Sequence, residues 1–370
     1  MHTKKIIFLT TLPTTKIFAK KIDPWWFSNN GFNVEFWDLS KLFWSSDQLD
    51  AYFKGSKDLK FIGPEHKSFM SKSEFKKSLS SLPKGTIIWN LNWEMTRIRF
   101  NEFWILFALK KNKVQLIMKQ YDLRKSREIV GTLKRLFNFI MAKLIFLIHP
   151  PSIFFGCGSY ARKFSKYVFP NTRFISVPSP RVFWDFQDNI EKDCIVFVDE
   201  SIEYAPDARM FNKEICRDLK GYYNRLNNLF DFIEKHLNLD VLVAASGKYI
   251  YPSNPFNDRK IIYKKTLNLI STAHYILGHS SSALEQGIIC NIPIIVLNDK
   301  SFTSLKKNDV EEMASTIFLQ PVYSDNLEEI SKNLSKNMVH DNTQVDLYYK
   351  EYGLEGDSNE IIKDSIQALY

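Results

Sequence analysis

The stretch from Tyr275 to Asn298, YILGHSSSALEQGIICNIPIIVLN, constrains the fold of this 370-residue chain more than any other. A short apolar run ends at Gly278. His279, Ser280, Ser281 and Ser282 follow, and Ala283, Leu284, Ile288 and Ile289 then recur at helical spacing before Pro293 opens a second apolar run, Ile294 to Leu297. Strand, loop, helix and a wholly apolar strand make the repeat of a parallel sheet covered on both faces. The serines fall at the helix N-terminus, where unpaired N–H groups and short hydroxyls favour an anion. A cradle for a nucleotide monophosphate or diphosphate is the functional expectation, and plain helix capping is the alternative.

Similar steps recur along the chain. Lys5 to Thr10, Asn33 to Asp38, Thr86 to Trp89, Val114 to Met118, Ile153 to Gly158 and Thr172 to Val177 read as strands, with helices at Ser71 to Leu82 and Arg97 to Lys111. Such alternation predicts a parallel sheet with helices on both faces. Pro178-Ser179-Pro180 and the polar residues to Lys192 read as a linker. A second unit opens with the apolar strand Cys194 to Val198. In it Phe211, Ile215, Leu219, Tyr222, Leu226, Leu229, Ile233 and Leu237 mark a long helix, Val241 to Ala245 a strand, and Lys264 to Ala273 and Asn326 to Lys336 further helices. The predicted fold is α/β with two Rossmann-like domains facing a cleft: residues 1–180, a linker at 181–192, and residues 193–370.

Charge divides the chain at the same place. Residues 1–190 carry 31 Lys and Arg against 14 Asp and Glu, a balance of +17, whereas residues 191–370 carry 19 against 27, a balance of −8. All eight tryptophans lie in the basic half. A basic, Trp-rich domain suits an anionic, partly apolar partner, and with no nucleic-acid motif present a membrane surface is favoured over nucleic acid. Arg124 to His149 places basic residues ahead of the apolar run Leu136 to Ile148, which is too short and too polar to span a bilayer. It reads either as an interfacial segment or as a core helix. The start, MHTKKIIFLTTLP, reads as a first buried strand rather than a signal peptide, giving a cytoplasmic protein peripheral to the inner membrane face. Cys157, Cys194, Cys216 and Cys290 lack metal-site or disulfide spacing and are expected to be buried thiols.

In open parallel sheets ligands bind beyond the carboxyl ends of the strands. Three polar clusters fall there in the second domain: Asp199-Glu200, Ser246-Gly247-Lys248, and His279 to Ser282. Asp199 or Glu200 is the candidate general base, with Glu94 and Asp122 of the first domain in reserve. Lys248 and the serine block are candidates to hold a departing phosphate. Glu285, one turn into the helix, is placed to meet ribose hydroxyls. The plainer alternatives are a turn for Asp199, solvated charges for Lys248 and Glu285, and a histidine bonded to backbone for His279. Dinucleotide, P-loop, zinc-protease and hydrolase-elbow motifs are lacking, as is a DxD triplet, so no metal or other cofactor is expected.

The order of Asp199-Glu200, Pro206-Asp207, a helix ending Leu229-Phe230-Asp231-Phe232-Ile233-Glu234, a strand with a polar end, and Gly278 to Leu284 resembles bacterial surface-polysaccharide glycosyltransferases of GT-B architecture. The similarity spans roughly Cys194 to Asp299, and the wider group includes transferases using CMP-activated acidic sugars, with a His-Pro and a Ser/Thr motif. The Ser/Thr motif maps onto Ser280, Ser281 and Ser282. Ser246-Gly247 stands at the His-Pro position, and Ala205 stands where a histidine often precedes the Pro-Asp pair. The resemblance implies metal-independent transfer from a nucleotide sugar to a glycan or lipid-linked acceptor. A CDP-alditol phosphotransferase and a non-catalytic subunit of a polysaccharide assembly complex are the rival expectations.

Overall fold

A computed structural model of the chain describes residues 4–16, 19, 22–54, 60–61, 63, 65–91, 102–140 in part (102–120 and 140), 143–144, 146–178, 193–245, 247, 249–335, 346, 348, 352 and 358–369. Two sheets dominate, and every strand pair is parallel. The first runs in the order β3-β2-β1-β4-β5-β6-β7, formed by Lys4–Thr10 (β1), Phe32–Asp38 (β2), His66–Ser68 (β3), Ile87–Asn90 (β4), Gln115–Gln120 (β5), Ile153–Gly156 (β6) and Arg173–Ser176 (β7). The second runs β10-β9-β8-β11-β12-β13, from Cys194–Asp199 (β8), Asp240–Ala245 (β9), Ile261–Tyr263 (β10), Ala273–Gly278 (β11), Ile294–Asn298 (β12) and Val322–Tyr323 (β13).

Both orders step outward from a first strand and then reverse, the Rossmann-like pattern, with switch points between β1 and β4 and between β8 and β11. β8 is apolar almost to its end because both of its faces are covered. The helix Leu219–Leu237 lays Tyr222, Leu226, Leu229, Phe230 and Ile233 against the second sheet. This helix starts later than the apolar spacing implied. Asp218 accepts from Gly221 N at 2.8 Å and caps it, while Asn212 adopts a left-handed φ of 49° upstream. Phe211 instead packs edge-on against Trp44 of the first domain, with ring centroids 5.1 Å apart.

The first domain has apolar layers on both faces of its sheet. Trp37 and Trp89 are buried in them and Trp26, Trp44 and Trp104 are partly buried, so most of the described tryptophans serve packing and only Trp25 is exposed. The final helix, Ser358–Gln367, falls within the range expected for the second domain but returns to the first. Ile362 and Ile366 enter the first domain's core, and Lys363 Nζ pairs with Asp23 Oδ2 at 2.6 Å. Across the units, Arg209 Nη1 donates to the Lys54 carbonyl at 3.0 Å and Gln48 Nε2 to that of Met210 at 3.3 Å.

The four cysteines are free thiols, and only Cys194 is buried, where desolvation pushes its thiol up to about 11. The linker at 181–192 and most of the segment Arg124 to His149 lie outside the described residues. Of the latter, Phe146 is buried against Phe169, while Ile140, Leu144 and Leu147 are exposed, Leu147 by 70%. Among the described residues no helix is long and apolar enough to cross a membrane.

Candidate functional site at the second switch point

β8 and β11 run side by side, so Asp199 and Glu200 at the end of one come level with His279 and Ser280 at the end of the other. A tight turn orients the first pair. Asp199 Oδ1 accepts from Ser201 N at 3.0 Å and Oδ2 from the Tyr251 hydroxyl at 2.8 Å, while Ser201 holds a left-handed φ of 51°. Asp199 thus turns inward, and burial pushes its carboxyl up to about 6 despite these bonds.

Glu200 reaches across to the serine loop. Its Oε1 accepts from Ser280 N at 2.5 Å, and its Oε2 accepts from Ser280 Oγ at 3.0 Å and from Lys306 Nζ at 2.7 Å. Lys306 Nζ also lies 2.7 Å from Ser280 Oγ. Burial works to raise the Glu200 pKa, but the Lys306 charge and these bonds prevail and hold it at about 2. A carboxylate so stabilised is a weak base while the contacts last.

His279 takes the plainer of its two readings. The ring is fully buried, Nδ1 lies 2.8 Å from the Leu297 carbonyl oxygen, and Nε2 lies 2.9 Å from the Tyr222 hydroxyl. Nδ1–H therefore donates to the carbonyl and Nε2 accepts from the phenol. Burial brings the imidazole pKa down to about 4, so the ring is neutral at pH 7.

The serine block does cap a helix, but a short one. Ser281 Oγ accepts from Ala283 N at 3.3 Å ahead of a 3-10 turn, Ser282–Leu284, and a helix of only five residues, Glu285–Ile289. Its dipole is correspondingly small, and Lys306, in the helix Ser304–Thr316, supplies the positive charge instead. Gly287 lets this short helix press onto the sheet, since a Cβ there would come within 2.7 Å of Ile276 and 2.8 Å of Ile294. Glu285 is buried, and its Oε2 accepts from the Tyr348 hydroxyl at 2.7 Å.

Gly247 sits in the turn after β9, packed on the Lys264 side chain. Ser246, Lys248, Glu94 and Asp122 lie outside the described residues. The structure therefore joins two of the three strand-end clusters and adds residues that sequence reading missed: Lys306, Tyr222 and Tyr251. The available signal was weak. Lys306 follows the apolar strand Ile294 to Leu297 by one polar turn, where a further βα step puts a helix start beside the same sheet edge.

No protein-family model and no curated protein matches the sequence. Solved structures do match over the whole chain. The forosaminyltransferase SpnP of spinosyn superposes with a TM-score of 0.53 at 12% identity, covering 100% of this chain and 99% of that one. Acinetobacter baumannii MurG gives 0.51 at 7% identity, with 99% of each chain covered. The chain has the GT-B fold. A third match, at 0.50 and 14% identity over 98% of this chain and 99% of the other, is Methanocaldococcus jannaschii UDP-GlcNAc 2-epimerase in complex with UDP-GlcNAc and UDP. The expected pair of Rossmann-like domains is thus observed, and these identities establish a shared fold rather than a shared reaction.

Proposed function

We propose that the chain is a glycosyltransferase that binds a nucleotide-activated sugar at the β8/β11 switch point and passes the sugar to an acceptor held by the basic first domain. One observation carries this reading. A backbone N–H, a hydroxyl and a buried ammonium, from Ser280 and Lys306, converge on a single anion position at the edge where an open parallel sheet binds ligands. These groups are suited to a leaving phosphate, whose charge grows as the glycosidic bond breaks.

The donor class favoured is a CMP-activated acidic sugar, from the serine block that resembles the Ser/Thr motif, with Ser281 and Ser282 beside the phosphate and Ser246, Gly247 and Lys248 near the base. No metal or other cofactor enters this scheme, because Lys306 supplies the cation. Asp199, buried and bonded to Tyr251 and Ser201, holds the turn. Glu200 stands at the site edge and is the nearer candidate for the base once it leaves Lys306. The favoured acceptor is a surface glycan or a lipid-linked one at the inner membrane face, to which the exposed Ile140, Leu144 and Leu147 would dock beside Lys143.

A thermal-shift screen of the full chain with CMP, CDP, UDP, GDP and their sugars tests the reading. Cytidine nucleotides are expected to raise Tm most, and Ser281→Ala with Ser282→Ala to reduce that shift while costing the fold only about 1 kcal/mol from the lost cap. Stabilisation by no nucleotide would sink the proposal. Conversion of a UDP-sugar to its epimer without any acceptor would assign the chain the reaction class of the epimerase that shares its fold.

A further inference from the structure

We propose that Glu200 is an internal anion seated in the donor-phosphate site, so that donor binding is an exchange in which phosphate displaces the carboxylate from Ser280 and Lys306. The inference rests on the donor site argued above and adds to it a gate, the Glu200 carboxylate.

Three donors from two separate elements meet at the Glu200 carboxylate: Ser280 N, Ser280 Oγ and Lys306 Nζ. A backbone N–H, a hydroxyl and an ammonium directed at one point are the donors that phosphate oxygens use in proteins. The donors are fixed in place. His279, the neighbour of Ser280, is clamped between Leu297 and Tyr222, and the Lys306 side chain is only 5% exposed on a 13-residue helix. The acceptor is less constrained. Glu200 keeps 21% of its side chain exposed and lies beyond the end of β8, so rotation about its own side-chain bonds frees the carboxylate without disturbing the sheet.

The neighbouring carboxylate marks the contrast. Asp199 is bonded by neutral groups, Tyr251 and Ser201, whereas the buried cation is directed at Glu200. The terminal phosphates of pyrophosphate and CMP carry more charge than a carboxylate and gain more from Lys306, whereas the singly charged diester of a CMP-sugar exchanges at equal charge and relies on the rest of the nucleotide to drive the exchange. While the carboxylate is seated, the site is charge-balanced, and apparent donor affinity is the intrinsic affinity multiplied by the fraction of time that the seat is open.

Calorimetric titration of the full chain with inorganic pyrophosphate and with CMP tests this. Glu200→Gln, isosteric and uncharged, is expected to bind both about tenfold tighter than wild type, the factor for a seat open about a tenth of the time. Lys306→Met is expected to bind them at least about tenfold more weakly, as loss of a charged hydrogen bond predicts. Equal or weaker binding by Glu200→Gln, with wild-type binding intact, overturns the exchange and leaves the donor site standing. Failure of both wild type and variant to bind either compound overturns the donor site and the exchange together. If Glu200→Gln does not fold by circular dichroism, Glu200→Asp replaces it. Its shorter carboxylate reaches Lys306 less well, so tighter pyrophosphate binding is again expected, and unchanged affinity overturns the proposal.

Discussion

The Tyr222 hydroxyl lies 2.9 Å from His279 Nε2, and the phenol belongs to the helix Leu219–Leu237 while the imidazole ends β11. The bond ties a covering helix to the sheet edge that carries Ser280. Because burial lowers the His279 pKa from 6.5 to about 4, the folded chain binds fewer protons here than the unfolded chain between those values. Stability from this group is therefore complete above about pH 6.5 and is lost as pH falls through 4, on the order of 3 kcal/mol over the window. His279→Asn should flatten the acid limb of a Tm-against-pH curve across that range. An unchanged slope would show that His279 does not titrate as its burial requires.

Asp299, fully buried after β12, accepts from Arg225 Nε at 3.0 Å and Nη2 at 2.6 Å, from Ser301 N at 2.8 Å and from the Ser324 hydroxyl at 2.6 Å. Asp299→Ala leaves the Arg225 charge without its partner and should cost about 3–5 kcal/mol in urea unfolding. A loss below about 1 kcal/mol would mean that water replaces the carboxylate there.

The two carboxylates after β8 should differ in kinetics. Asp199→Asn keeps the turn and should leave kcat within about tenfold, whereas Glu200→Gln should lose at least about a hundredfold in kcat while still binding donor. Full activity in both variants would move the base to the first domain, where Glu94 and Asp122 are the candidates.

Docking on an anionic bilayer should depend on the exposed Leu144 and Leu147 and on Lys143, which lies 4.5 Å from the Tyr167 ring centroid. In vesicle co-sedimentation the chain should pellet with anionic lipid at low salt and detach as salt rises. Leu144→Ser with Leu147→Ser should abolish pelleting. Equal failure to pellet with anionic and neutral vesicles would assign the basic face to an acidic glycan.

The longer strands of both sheets are legible in the amino-acid order. β1, β8, β9, β11 and β12 were readable because a parallel strand buried on both faces must be apolar nearly throughout, and β2 because its apolar and polar residues alternate ahead of a buried end. The short strands β3, β10 and β13 were not readable, having only two or three residues each, too few even in the apolar Ile261-Ile262-Tyr263 of β10 to show a period. At the site, the sequence placed Asp199-Glu200 and His279 to Ser282 at strand ends, because that follows from local order alone. Only tertiary structure decided what they do. Glu200 meets Lys306 across 106 residues, His279 meets Tyr222 across 57, and Asp199 meets Tyr251 across 52. Whether a carboxylate is a base or a held anion, and whether a histidine carries charge, depends on burial and on such distant partners, and neither is a property of the residues beside it in the chain.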